Sequence, residues 1–167
     1  MSTEIHDPNR RQHYAFTRAG EHMLVDIRVA PGGDGPPHIH PSQEERWTVH
    51  SGQVRFKIDG RTTLPEPGVE VVIPPGTKHA FKNIGQSEAR IRAEVRPALE
   101  IQEFLTEAAE LARGGYYTRQ GLITSLAGAR RMADFLERYE DTAIMLWPPR
   151  LIQRCLTTLL RLTSRRT

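Results

Sequence analysis

The chain reads in two periods. Up to about Pro97, short apolar runs alternate with breaks rich in glycine and proline. Val54-Arg-Phe-Lys-Ile58 alternates strictly between apolar and polar, the signature of a strand with one face buried. Similar runs at 22–29, 45–50, 69–73, 78–81 and 89–95 predict further strands, and Asp59-Gly60 is a hairpin signal leading into Arg61-Thr-Thr-Leu64. Many short strands at close spacing predict an antiparallel sandwich or barrel. Beyond Pro97 the apolar spacing becomes helical. Ile101, Phe104, Leu105, Ala108, Leu111 and Ala112 form one stripe, and Gly114-Gly115 ends it. A second helix is predicted over about 124–138, carrying Leu126, Ala129, Ala133 and Leu136. Trp147-Pro148-Pro149 then breaks the chain before a third helix with Leu151, Ile152, Cys155, Leu156, Leu159, Leu160 and Leu162. The expected organisation is a β part over 1–97 and a helical extension over 98–167.

Composition narrows this picture modestly. At 167 residues the chain has room for one core and an appendage. No stretch approaches the ~20 apolar residues of a membrane span. The first residues carry no apolar leader, and the single Cys155 has no internal disulfide partner, so a cytoplasmic location is expected. The net charge of +3 is mild, but five arginines and no acid follow Asp141. A basic third helix with Trp147 as an interfacial anchor would suit a membrane surface. Packing of its apolar stripe on the barrel or on a second subunit is the preferred reading. No helix-turn-helix signature and no interleaving of aromatic and basic residues is present, so no nucleic-acid partner is expected.

The chemistry concentrates in two glycine-punctuated blocks, 32–52 and 68–83. They contain His38, His40, Glu45 and His79, three imidazoles and a carboxylate. His38 and His40 are two apart, so on a strand both project to the same face. Glu45 follows a turn at Pro41-Ser42, and His79 follows the tight Pro74-Pro75-Gly76 turn. Side chains from neighbouring strands can converge inside a small barrel. This donor set suits Fe, Mn, Co, Ni, Cu or Zn as one divalent ion, and four protein ligands on a six-coordinate ion leave two open positions. A closed structural zinc site would more typically use cysteines.

The spacing resembles the two motifs of the cupin superfamily. Gly32 is followed by five residues, His38-x-His40, four residues, Glu45, six residues and Gly52. Gly68 is followed by five residues, Pro74-x-Gly76, two residues, His79, three residues and Asn83. Of the adjacent carboxylates Glu44 and Glu45, only Glu45 puts the closing glycine on Gly52. The resemblance covers roughly residues 20–97. It implies a double-stranded β-helix (jelly-roll) barrel with His38, His40, Glu45 and His79 as metal ligands, and dimers are common among its members. Strand alternation then puts Trp47 and Val49 on the ligand face and Phe81 beside His79. With Phe56, they would wall an apolar substrate pocket. Asn83 is expected to fix the turn of the second motif through backbone hydrogen bonds.

The expected function is that of a metal-dependent enzyme of dioxygenase type, acting on a small chelating organic molecule, with Glu45 also available as a base. A fold hosts many functions, so two alternatives stand beside it. One is a non-catalytic cupin that binds or senses a small ligand. The other is a metal-dependent isomerase or decarboxylase. The extension is a plausible homodimer surface.

Overall fold

The computed structural model describes residues 4–146. Eleven strands run in chain order: β1 (Ile5–Asp7), β2 (Gln12–Ala19), β3 (His22–Val29), β4 (Asp34–Ile39), β5 (Glu44–Ser51), β6 (Val54–Ile58), β7 (Arg61–Thr63), β8 (Glu70–Ile73), β9 (His79–Asn83), β10 (Ala89–Arg96) and β11 (Ile144–Met145). Two helices, α1 (Ile101–Arg113) and α2 (Leu126–Arg138), lie between β10 and β11. All strand pairs are antiparallel. They form a six-stranded sheet ordered β1-β2-β3-β10-β5-β8 and a five-stranded sheet ordered β11-β4-β9-β6-β7.

Alternation drives burial. β3 alternates half-buried and buried residues along its whole length, and β10, at the centre of its sheet, buries Ala89, Ile91, Ala93 and Val95. These inward faces meet Val54, Phe56 and Phe81 of the opposite sheet in one apolar core. Gly52 closes the turn between β5 and β6 with φ +89°, and a Cβ there would lie 2.6 Å from the Ala89 Cβ. That position admits only glycine without displacing β10.

Three expectations change. The barrel is not closed: the sheets remain separate, with edges at β1, β8, β11 and β7. The outer strands β1, β7 and β11 are three residues or fewer, too short to carry a ladder from one sheet to the other. Two helices are present among the described residues, not about three, and the third predicted helix lies outside them. Finally, β4 starts at Asp34, in a stretch outside the predicted strand runs. Pro36 and Pro37 lack the N–H a ladder needs. The pairing with β9 therefore slips between Gly35 and His38.

The helices cover one side of the sandwich. α1 ends at Gly114-Gly115 as the sequence predicts, and Ser125 caps α2 by accepting from Gly128 N at 3.0 Å. Phe104 of α1 stacks on Phe135 of α2 at 5.1 Å between ring centroids, and Tyr139 packs against both. No helix among the described residues is long and apolar enough to cross a membrane.

Candidate metal centre

The register of β4 against β9 sets His38 directly opposite His79. Directly paired residues share a face, so both imidazoles turn inward. His40 lies just past the end of β4, where its carbonyl accepts from Gly76 N at 2.8 Å, tying it to the turn that precedes His79. Glu45 comes from the opposite sheet, on β5, with Arg46 and Thr48 turned the other way. One ligand atom from each of His38, His40, Glu45 and His79 lies within 4.8 Å of every other. His40, Glu45 and His79 are buried, and His38 keeps part of its surface open.

The hydrogen bonds fix the protons. His38 Nδ1 lies 2.7 Å from Pro36 O, His40 Nδ1 2.6 Å from Thr142 O, and His79 Nδ1 3.0 Å from Thr77 O. A carbonyl only accepts, so each Nδ1 carries the hydrogen and each neutral ring offers its Nε2 lone pair. Those Nε2 atoms point at one another and at the carboxylate. His38 Nε2 is 3.1 Å from His40 Nε2, His40 Nε2 is 3.2 Å from Glu45 Oε1, and His79 Nε2 is 2.8 Å from Glu45 Oε2. The His79 contact lacks hydrogen-bond alignment, and its Nε2 is a buried nitrogen with no hydrogen-bond partner. Lone pairs aimed at a common point repel unless a cation sits among them. The donor set therefore fits a metal ion, and its imidazoles are held by outer hydrogen bonds in the manner of metal-binding histidines. Trp47 extends this to the carboxylate, its Nε1 donating to Glu45 Oε2 at 3.0 Å.

Electrostatics agree. Burial alone would raise the Glu45 carboxyl, but the adjacent His40 and His79 imidazoles outweigh it and hold Glu45 well below the usual carboxylate range. Burial would lower His40, yet Glu45 beside it raises it. Burial, reinforced by the neighbouring His79 and His40 imidazoles, takes His38 well below its ordinary value. Glu45 is thus ionised and His38 neutral near pH 7, the forms that bind metals.

A cavity of about 190 Å³ opens beside this cluster, between the six-stranded sheet and the helices. His38, His40, Glu45, Trp47 and Phe81 line it, whereas Val49 and Phe56 are buried in the core and are not part of its lining. Trp47 and Phe81 pack with ring centroids 5.0 Å apart. Tyr117 reaches the cavity wall, as do residues of α1 and α2. Asn83 binds Val29 O and Ser87 O, each at 2.8 Å, and accepts from Gly85 N, fixing the turn after β9. Sequence reasoning missed the carbonyls of Pro36, Thr77 and Thr142. They are main-chain atoms, so no side-chain pattern marks them. It also missed the helix residues on the cavity wall, whose apolar stripes were legible without their partner.

A cupin domain profile matches residues 25–95. Germin-like protein subfamily T member 3 of Arabidopsis thaliana is 34% identical over 73 residues, covering 41% of this chain and 32% of that protein. Oxalate oxidase 1 of Hordeum vulgare is 35% identical over 71 residues, covering 38% of this chain and 35% of that protein. The aligned region thus spans about a third of these curated relatives. An RmlC-like cupin from Shewanella frigidimarina superposes with a TM-score of 0.53 at 23% identity, covering 60% of this chain and 88% of that one, which shows shared fold. With both histidine motifs in place on this fold, residues 25–95 form a cupin domain.

Proposed function

We propose that this cupin is a metal-dependent enzyme of dioxygenase type acting on a small chelating organic molecule. The observation that carries the reading is the convergence of three Nε2 lone pairs and a carboxylate whose other hydrogen-bonding atoms are already committed. A divalent transition metal bound there would supply Lewis acidity and open positions for dioxygen or a substrate oxygen. The chain's own part is to aim and to enclose. The Nδ1–H bonds hold the three rings, the Trp47 indole holds Glu45, and Trp47 and Phe81 keep bulk water from the ligand face. The ionised Glu45 compensates charge, and an oxygen released from the Trp47 bond would make it a base. Stoichiometric metal by elemental analysis, followed by oxygen uptake with phenols, diketones and carboxylates, tests this. Full metal loading with no turnover on any of them would sink the enzymatic reading.

One observation favours a second reading, that of a non-catalytic cupin binding or sensing a small ligand. Glu45 is anchored at Oε2 by Trp47 and lies close to two histidines, which suits a ligand better than a mobile base. Tight ligand binding by metal-free protein would support it. We further infer a cytoplasmic homodimer without a nucleic-acid partner, organised as a β part over 1–97 and an extension over 98–167. A monomer in sedimentation at micromolar concentration would overturn the dimer.

A further inference from the structure

The cavity beside the metal centre is apolar on nearly every side. Val25, Ile27 and Val95 face it from the sheet, and Phe104, Met132 and Leu136 close it from the helices. Its far end holds polar groups that bond among themselves. Arg10 Nη1 donates to Asp34 Oδ1 at 3.3 Å, Gln12 Nε2 donates to Asp34 O at 2.7 Å, and Arg10 N donates to Asp7 Oδ1 at 2.9 Å. A ligand with one polar head and an apolar body covers this apolar lining, whereas a small dianion leaves it bare.

Size adds a second constraint. An apolar cavity of about 150 Å³ is large enough to hold a benzene ring. The volume here, about 190 Å³, leaves room for a ring and a small substituent group. At the candidate metal centre, His38, His40 and Glu45 reach the cavity.

We propose that the cavity binds a largely apolar, monocyclic molecule that presents one oxygen-bearing chelating head to His38, His40 and Glu45, and that it discriminates against small dianions of the oxalate type. This rests on the metal reading above and names the substrate class for that site. It also sets this chain apart from the oxalate oxidase it resembles over the aligned region.

The test uses the full chain, metal-free and loaded with Mn(II), in calorimetric titrations with salicylate and with oxalate. The loaded protein binds salicylate about tenfold more tightly than oxalate or better, because only the ring buries apolar area. Ala108→Trp, on α1 at the cavity wall, abolishes salicylate binding while metal stoichiometry stays unchanged. Leu136→Ala, which enlarges the cavity, shifts preference from salicylate toward 1-hydroxy-2-naphthoate and guards against a misfolded tryptophan variant. Equal or tighter binding of oxalate overturns the proposal, as does stoichiometric metal with no salicylate binding. Salicylate binding that responds to both variants in a protein taking up no metal supports the cavity assignment and overturns the metal reading instead.

Discussion

At the scale of residues, Trp47 separates aiming from packing. Its ring belongs to the aromatic wall, and its N–H holds Glu45 Oε2. Trp47→Phe keeps a ring and loses the donor. We expect metal affinity to fall about 10- to 100-fold, the usual effect of losing an outer partner. Competition with a chromophoric chelator measures it, and the same variant should lose only about 1–3 kcal/mol of stability in denaturant. The proton balance gives a second expectation. His40 is raised above its ordinary 6.5 by Glu45. A raised histidine stabilises the metal-free fold below its unfolded value, and that contribution is lost as pH rises through the folded one. Metal binding needs the same ring unprotonated at Nε2. Affinity should therefore weaken as pH falls through the raised His40 range, by about tenfold per pH unit for one displaced proton. Titration calorimetry between pH 6 and 8 would expose a pH-independent affinity if this is wrong.

At the scale of elements, β11 and the turn before it act on the site from outside the motif region. Thr142 O orients His40, Met145 pairs with His38, and Leu146 N donates to Pro37 O at 3.2 Å. Removing residues 148–167 leaves these contacts in place. Removing 141–167 takes them all, and we expect only the second truncation to weaken metal binding, again about 10- to 100-fold. Equal affinities in the two truncated proteins, each checked for a cooperative melt, would exclude this role. The sequence disclosed this unevenly. The ligand strand β5 was legible because Glu45, Trp47 and Val49 alternate cleanly with polar residues. The start of β4 was hidden by Pro36 and Pro37, whose missing donors look like a loop and here produce a slipped ladder. The α1 stripe was legible too. In α2 the expected Leu126 is 62% exposed, while Phe135 and Gly128 carry the burial. The Phe104–Phe135–Tyr139 cluster, a tertiary contact, sets that helix's rotation. The two-residue β11 left no local signal.

At the scale of the molecule, the centre joins both sheets and the extension at one point. His38 and His79 belong to one sheet, Glu45 to the other, and Thr142 to the extension. An ion there links all three. A ligand at 100 times its dissociation constant stabilises a fold by about 2.7 kcal/mol. For a chain of this size each kcal/mol moves the melting temperature by roughly 2–4 °C. Chelation should therefore lower Tm by about 5–11 °C in scanning calorimetry, and an unchanged Tm would mean that no ion bridges the sheets. The outer partners of the three imidazoles have one more consequence. All are carbonyls of the main chain, so an alanine scan would find the ligands and remain blind to what steers them. Only changes in the path of the backbone, such as an insertion, a new proline or an amide-to-ester exchange, reach that layer of control. Sequences can thus drift at Pro36, Thr77 and Thr142 while the steering persists, provided the chain keeps its course.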